Sequence, residues 1–281
     1  MRAVRRPPLV MGVVNVTPDS FSDGGRHASV PGAVAHALAL VQQGAQLLDV
    51  GGESTRPGAE PVPEAEELAR VVPVIRQLTR QTAVPISIDT RKPAVARAAV
   101  AAGAAIWNDV TALTGHRDSP AVAAELGCRV VLMHMQGEPR TMQAAPAYAD
   151  AVAEVEAFLL ARAEEAEAAG VLRSRILLDP GIGFGKTPEH SFALLQGLPR
   201  MVAHGYPVLL GVSRKRLIQA ADPTAADPLD RLGGSLAGAL WGAHVGVAAV
   251  RVHDVRETAQ ALSVWSRIDA CGAPVLQDRH G

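Results

Sequence analysis

Short apolar runs recur along the chain, and each run ends in polar residues and is followed by a stretch with helical periodicity. The runs span residues 9–16, 45–50, 84–89, 105–109, 129–134, 175–179, 207–213 and 248–253. Nearly continuous hydrophobic runs of this length are typical of parallel strands that are covered on both faces. The pattern therefore predicts eight strands of one parallel sheet.

The intervening stretches predict eight helices, many of which begin near a proline or are followed by a glycine. They span residues 31–43, 63–80, 92–102, 120–126, 147–169, 188–203, 227–245 and 255–267. Strands that alternate with helices in this way predict an α/β protein with a single (β/α)8 TIM barrel. We assign residues 1–268 to this barrel and residues 269–281 to a polar C-terminal tail.

A chemically useful polar residue stands at the end of nearly every apolar run. These residues are Asn15, Glu53, Asp89, Asn108, His134, Asp179, Lys215, Arg251 and His253. An open doubly wound sheet, the alternative fold, collects ligand groups from only a few strands at its switch point. A closed barrel brings all its carboxyl ends to one mouth, so the pattern favours a barrel with an active site at the C-terminal ends of the strands.

Composition excludes several classes of function. With 48% hydrophobic residues, 281 residues suffice for a large core, and a net charge of -1 gives no indication of nucleic acid as a partner. No apolar run approaches the roughly 20 residues that cross a bilayer, and the basic segment 1–8 is not followed by the apolar core of a signal peptide. Cys128 and Cys271 have no metal-ligand spacing and fit a reducing compartment, so we expect a cytoplasmic protein without a membrane partner.

Acidic and amide side chains follow three of the predicted strands, at Asp89, Asn108 and Asp179. A carboxylate at the bottom of a barrel mouth is costly unless it is paired or hydrogen-bonded. One interpretation is an internal ion pair of Asp89 or Asp179 with Lys215. The functional interpretation is a pocket for a flat heterocycle, because a carboxylate accepts two parallel N–H bonds from an amino-pyrimidine edge and Asn108 both donates and accepts.

A second set of residues predicts an anion site. Arg251 and His253 stand two positions apart in a strand and therefore point to the same face. Asn15 ends the strand that lies next to them when the barrel closes. Arginine, histidine and asparagine at one mouth are well suited to phosphate oxygens.

Two loops carry further candidates, although both could also be solvated surface turns. The loop at 15–25 places Phe21 among polar neighbours, which indicates a lid over a ligand. The loop at 51–58 has consecutive glycines, whose backbone amides can approach an anion closely, followed by Ser54, Thr55 and Arg56. Glu53 is a candidate for a structural role, bonding backbone amides at the barrel rim.

These segments, in this order, resemble the dihydropteroate synthase family of pterin-binding TIM barrels. The strongest matches are residues 15–25, 49–58, 87–90, 178–184, 213–215 and 251–254, and the resemblance covers nearly the whole chain, from about residue 10 to 264. Each segment alone is a modest signal, whereas six in one order at strand ends are specific.

The resemblance assigns the site residues. For the pterin it implies Asp89, Asn108, Asp179 and Lys215, with Phe184 and Gly211 lining the pocket, and Met133 at the end of the fifth run is a candidate for the pocket wall or the core. For the pyrophosphate and its Mg²⁺ it implies Asn15, Arg251 and His253, with Asn15 as the metal ligand. For 4-aminobenzoate it implies Phe21, Ser54, Thr55, Arg56, Pro57, Lys215 and Arg216. Among these, we expect Asp89, Lys215, Arg251 and His253 to be catalytic.

The activity that the resemblance implies is the condensation of 6-hydroxymethyl-7,8-dihydropterin pyrophosphate with 4-aminobenzoate. The products are 7,8-dihydropteroate and pyrophosphate, in folate biosynthesis. The family also implies a homodimer and a target of sulfonamides, although Arg216 stands where many members carry serine. The alternatives are a non-catalytic pterin-binding paralogue and a methyltetrahydrofolate methyltransferase, which would have no use for the two loops or for Arg251 and His253.

Overall fold

Eight strands alternate with helices along the chain, as the apolar runs predict. The structure is a computed structural model that describes residues 6–17, 29–56 and 58–271. The strands are β1 (Leu9–Asn15), β2 (Leu47–Gly51), β3 (Ile86–Asp89), β4 (Ile106–Asp109), β5 (Arg129–Met133), β6 (Ile176–Asp179), β7 (Leu209–Leu210) and β8 (Ala249–Val252). Each predicted run coincides with one of them, and β2 extends one residue past its run.

The helices of the described ranges cover the outside of the sheet. They are α1 (Val30–Gln42), α2 (Glu64–Gln81), α3 (Pro93–Ala101), α4 (Ser119–Leu126), α5 (Ala151–Ala168), α6 (Pro188–Ala203), α7 (Arg216–Ala221), α8 (Leu232–Val245) and α9 (Val255–Ala270). In these ranges, none of the helices is long and apolar enough to span a membrane.

Three helices differ from the prediction. The short helix α7 was not predicted, because six residues are too few to show a helical period. The stretch predicted as a helix from 227 starts with a 3-10 turn, Pro228–Arg231, and α8 follows it. Helix α5 starts four residues later than predicted because Asp150 caps it, accepting hydrogen bonds from the backbone N–H groups of Val152 and Ala153.

The sheet is parallel throughout and closes on itself. Its strand order is β6-β5-β4-β3-β2-β1-β8-β7. A parallel bridge between Leu178 and Val208 joins the two end strands, and the Leu178 N–H donates to the Pro207 carbonyl at 2.9 Å. This closure confirms the predicted (β/α)8 barrel, and the doubly wound alternative is wrong.

The alternation of side chains along each strand divides the core into an outer and an inner part. The outer faces of the strands pack with the helices in one large cluster that includes Leu48, Ile75 and Leu159. Inside the barrel, seven strands contribute one residue each to a plug, namely Met11, Leu47, Ile106, Val131, Leu177, Leu209 and Ala249. Because side chains alternate along a strand, residues two or four positions after a plug residue also point inward, above the plug.

Candidate active site

The inward-pointing positions above the plug hold seven of the predicted site residues and, in addition, Asp49. They are Asn15, Asp49, Asn108, Met133, Asp179, Gly211, Arg251 and His253. Asp89 joins them, because its neighbours Ile86 and Ile88 belong to the outer cluster. The strand period therefore brings residues from eight strands to one mouth, as the closed barrel requires.

A guanidinium group sits between two carboxylates on the floor of this mouth. The Nε atom of Arg251 donates to Asp49 Oδ2 at 2.6 Å, and its Nη2 atom donates to Asp89 Oδ2 at 3.0 Å. The amide of Asn108 donates to the same Asp49 oxygen at 3.2 Å. The ion-pair partner of Asp89 is therefore Arg251, and the interpretation that Asp89 pairs with Lys215 is wrong. Asp49 was not singled out from the sequence, although its position two residues after plug residue Leu47 identifies it as inward-facing.

The charges on the floor influence one another. Burial raises the pKa of Asp89, the negative charge of Asp49 raises it further, and Arg251 opposes both effects. Burial alone would lower the pKa of Arg251, but Asp49 and Asp89 hold it above its ordinary value. Among the described residues, Oδ1 of Asp49 and Oδ1 of Asn108 have no hydrogen-bond partner. Buried acceptors without a partner are costly, so these two oxygens are available for N–H groups of a ligand.

Asp179 and Lys215 form the other side of the floor. Asp179 Oδ1 accepts a 2.7 Å hydrogen bond from the Gly181 N–H, and burial raises the pKa of Asp179 while Lys215 opposes the rise. Lys215 donates to the Ile182 carbonyl, and its ammonium lies 4.7 Å from the centre of the Phe184 ring. Burial lowers the pKa of Lys215 to about 8, against the opposing charge of Asp179. An acceptor, a donor and an aromatic ring thus lie together on one side of the mouth, where the pterin pocket was predicted.

A buried lysine behind this pocket was missed. Lys186 is only 2% exposed, and its ammonium contacts three atoms: His134 Nδ1 at 2.9 Å, the His134 carbonyl at 3.2 Å and the Phe184 carbonyl at 3.0 Å. Burial, followed by repulsion from Lys215, lowers the pKa of Lys186 to about 7. The sequence signal was a lysine directly after the Gly-Phe-Gly segment at 183–185.

His134 follows the inward-facing Met133 and therefore points out of the barrel. Its ring packs edge-on against Phe158 of α5 at 4.9 Å between ring centres. Burial, followed by the charge of Lys186, lowers the pKa of His134 to about 3. His134 is thus a neutral packing residue behind the pocket, and Met133, 4% exposed, lines the wall.

Cationic groups surround His253 at the rim. The Nδ1 atom of His253 lies 3.1 Å from Ser213 Oγ. Burial, followed by the charges of Arg251, Arg214 and Arg56, lowers the pKa of His253 to about 3, while Asp254 opposes the shift. The imidazole is therefore neutral at ordinary pH and lies in a positive potential. Such a potential favours an anion.

Asp254 precedes α9 but does not cap it. Its side chain makes no capping hydrogen bond to α9. It instead accepts two bonds from Arg214, at 3.1 Å from Nε and 2.5 Å from Nη2. A bidentate pair of this kind fixes the orientation of a guanidinium group. Arg214 itself has a positive φ of 60°, so Asp254 stabilises an uncommon backbone conformation next to the site.

The remaining predicted residues lie on the loops. Ser54 and Thr55 are half-buried after β2, whereas Arg56 and Arg216 are exposed. Thr55 lines a cleft together with Asp89 and Pro139. Phe21 and Pro57 lie outside the described residues.

Known proteins of one family share this architecture. The chain matches the model of the pterin binding enzyme family over residues 11–253. It is 47% identical over 257 residues to the dihydropteroate synthase of Escherichia coli (strain K12), covering 92% of this chain and 90% of that protein. It is 48% identical over 267 residues to that of Mycobacterium leprae, covering 92% of each.

Solved structures agree with the sequence relatives. The Xanthomonas albilineans dihydropteroate synthase with 4-aminobenzoic acid superposes with a TM-score of 0.89 at 52% identity, over 95% of this chain and 94% of that chain. The Yersinia pestis enzyme in a sulfonamide drug complex superposes with a TM-score of 0.89 at 42% identity, over 94% and 95%. The chain therefore belongs to the pterin binding enzyme family, in its dihydropteroate synthase branch.

Proposed function

We propose that this protein condenses 6-hydroxymethyl-7,8-dihydropterin pyrophosphate with 4-aminobenzoate, a step of folate biosynthesis. The proposal is based on the difference between the floor and the rim of the barrel mouth. Its floor presents carboxylate and amide acceptors, with free oxygens on Asp49 and Asn108. Its rim concentrates positive charge around His253. An amino-pyrimidine edge is rich in donors and a diphosphate is anionic, so one substrate that carries both groups matches both regions.

Ligands of a relative support one substrate and the product. One structure of the Xanthomonas albilineans enzyme contains 4-aminobenzoic acid, and another contains 7,8-dihydropteroate, at 49% identity and a TM-score of 0.85. The relatives named above are synthases, so they give no support to the methyltransferase alternative.

The reaction is a substitution at the pterin methylene. The carbon–oxygen bond to pyrophosphate breaks with its electron pair on oxygen, the arylamine nitrogen forms the new bond, and its proton leaves to water. A pterin ring can share the positive charge that develops on the methylene, and we assign Asp89 to balance it. Arg251 binds Asp49 and Asp89 through one edge of its guanidinium, and we assign its remaining donors to the diphosphate. Ser213 lies next to Nδ1 of His253, so we assign the other ring nitrogen to the leaving oxygen.

Mg²⁺ is the cofactor that we propose, with Asn15 as its protein ligand. Within the described ranges, no three His, Cys, Asp or Glu side chains form a metal cluster. Asn15 is the last residue of β1, at the carboxyl end of the strand, and its amide oxygen is a hard ligand that suits Mg²⁺. Mg²⁺ usually keeps several waters and binds substrate phosphates, so one protein ligand fits its chemistry. When bound, it would neutralise charge on the leaving diphosphate.

Three further features belong to the proposal. A homodimer and sensitivity to sulfonamides follow from the family resemblance, and the Yersinia pestis relative has been solved with such a drug. A cytoplasmic location follows from Cys128 and Cys271, which are both free thiols.

A coupled assay tests the function. The purified chain is mixed with the pterin pyrophosphate, 4-aminobenzoate and Mg²⁺, and both pyrophosphate release and dihydropteroate are measured. We expect stoichiometric products, no turnover after chelation with EDTA, and recovery when Mg²⁺ is added. Binding of the pterin substrate without pyrophosphate release would favour the non-catalytic paralogue and overturn the proposal.

A further inference from the structure

A buried glutamate lies beneath the loop that follows β2. The side chain of Glu53 is 7% exposed. Its Oε2 atom accepts a 3.1 Å hydrogen bond from the Val62 N–H and another from the Lys92 ammonium, while its Oε1 atom lies 3.0 Å from Arg91 Nη2. One carboxylate thus joins the start of this loop to its end and to the segment that precedes α3.

Residues of helix α2 also contact Lys92 and the base of this loop. Lys92 also pairs with Glu67, whose side chain is 1% exposed. The Gly52 carbonyl accepts a 2.7 Å hydrogen bond from Arg70 Nη1. A Cβ atom on Gly52 would lie 2.7 Å from Val71 Cγ1, so only glycine allows the loop to pack this closely on α2. The base of the loop is therefore fixed by charges and by tight packing.

The anchored loop carries two residues that reach different parts of the site. Thr55 and Glu53 line the same cleft as Asp89 on the barrel floor. The charge of Arg56 contributes to the lowered pKa of His253 at the rim. On the far limb of the loop, the Gly58 N–H donates to the Pro139 carbonyl at 3.0 Å. Thr55 and Arg56 thus lie between two points of attachment.

We propose that Glu53 is a positioning residue for the 4-aminobenzoate subsite, which acts by holding Thr55 and Arg56 through the Arg91 and Lys92 ion pairs. The proposal rests on the proposed function and on the assignment of these two loop residues to that subsite. The hydrogen bonds and ion pairs of the Glu53 carboxylate go to Val62, Arg91 and Lys92, not to the strand residues of the pterin floor. Loosening the loop should therefore weaken the binding of 4-aminobenzoate selectively. A purely structural role of Glu53 would instead weaken the binding of both substrates or lower only the stability of the fold.

The test compares Glu53→Gln with Glu125→Gln as a matched control. Glu125 also forms an ion pair, with Arg97, but its side chain is 63% exposed on α4. We expect Glu53→Gln to raise the KM for 4-aminobenzoate about tenfold, the usual effect of losing a charged hydrogen bond, and to change the KM for the pterin substrate less than about twofold. Amide hydrogen exchange should become faster at residues 54–56 and remain unchanged in α3. The Glu125→Gln control should match the unaltered chain in both KM values and in hydrogen exchange.

A second variant keeps the proposal testable if Glu53→Gln does not fold. Lys92→Met removes the partner from outside the loop, and we expect the same selective rise in KM. The KM of the double variant for 4-aminobenzoate should equal that of either single variant, because both substitutions break the same Glu53–Lys92 ion pair. An unchanged KM for 4-aminobenzoate, or an equal rise for both substrates, would overturn the proposal.

The outcome can be separated from that of the proposed function. Absence of turnover in the unaltered chain contradicts the synthase activity. The positioning role is then decided by equilibrium dialysis of labelled 4-aminobenzoate in the presence of the pterin pyrophosphate, with the same comparison of variants. If 4-aminobenzoate does not bind to the unaltered chain, both proposals fail.

Discussion

Nε of Arg251 donates a 2.6 Å hydrogen bond to Oδ2 of Asp49, although 202 residues separate the two in the chain. Asp49 is completely buried. The pair joins β8 to β2 across the barrel mouth, on the inner face of both strands. Arg251 is therefore oriented by the acidic floor before any substrate binds, which is the form of preorganisation that electrostatic catalysis requires.

Replacing this arginine should destabilise the fold in a pH-dependent way. Arg251→Met leaves Asp49 and Asp89 buried without their countercharge. At about pH 7.5 we expect the free energy of unfolding to fall by about 2–3 kcal/mol, less than for a fully buried pair because the Arg251 side chain is 23% exposed. Near pH 5 the loss should be smaller, since unpaired buried carboxylates have raised pKa values and take up protons in the folded state. Urea unfolding at both pH values measures the difference, and an equal loss at the two would contradict the argument.

Asp89→Asn should separate catalysis from folding. The amide keeps the size of the side chain and Asp49 still holds Arg251, so we expect the melting temperature to change little. The charge that balances the developing pterin cation disappears, and kcat should fall by about 10²–10³-fold. Steady-state kinetics with saturating substrates tests this, with circular dichroism as the control for folding. Normal turnover would show that Asp89 does not balance the cation.

The buried ammonium of Lys186 should make stability rise with pH. Its pKa of about 7 in the folded chain lies below the 10.5 of an ordinary lysine. Between these values the unfolded chain binds a proton that the folded chain does not, so the free energy of unfolding increases with pH. In Lys186→Met this contribution is absent. From pH 7 to 9 the unaltered chain should therefore gain up to about 1.4 kcal/mol per pH unit relative to the variant.

Urea unfolding at several pH values measures that slope. Lys186→Met should also be less stable at pH 7, because the carbonyls of His134 and Phe184 lose their donor. Parallel pH profiles for the variant and the unaltered chain would exclude the predicted titration.

A side chain at Gly181 should cost more stability than one at Gly205, which serves as the control. Both Gly181 and Gly205 have positive φ, 62° and 80°. A Cβ atom on Gly181 would lie 1.9 Å from the His134 carbonyl oxygen, while one on Gly205 meets no atom within 4 Å. Gly205→Ala should lose about 1–2 kcal/mol of stability from backbone strain alone. Gly181→Ala adds a collision with backbone, and we expect a loss of at least about 3 kcal/mol in urea unfolding. Similar losses for the two variants would show that the loop after β6 can move aside.

The repeating apolar runs predicted the barrel and its strands. They could do so because the spacing of hydrophobic residues in a strand or in a helix is a local property of the chain. The same runs predicted the strand-end positions of Asp89, Asn108, Asp179 and Arg251. Helix α7 was missed, since six residues carry too little pattern. Asp49 was missed because it lies inside an apolar run, where only the alternation of side chains along the strand shows that it faces the barrel interior.

Pairing between side chains could not be read from the sequence. Arg251 was expected beside His253 at an anion site, and its two bonds to Asp49 and Asp89 depend on barrel closure. Lys186 and His134 are 52 positions apart and meet because the loop after β6 packs on the end of β5. Such contacts depend on distances across the barrel, which no local pattern contains.

The sequence by itself determined the order of the elements, the face of each strand and the chemical types of residue at the mouth, because these depend on periodicity and side-chain chemistry. Only the tertiary structure decided which carboxylate binds which cation and which loop is anchored to which helix. Burial and the closing of the sheet bring together groups that are distant in the chain, and their pKa values and free acceptors follow from that proximity.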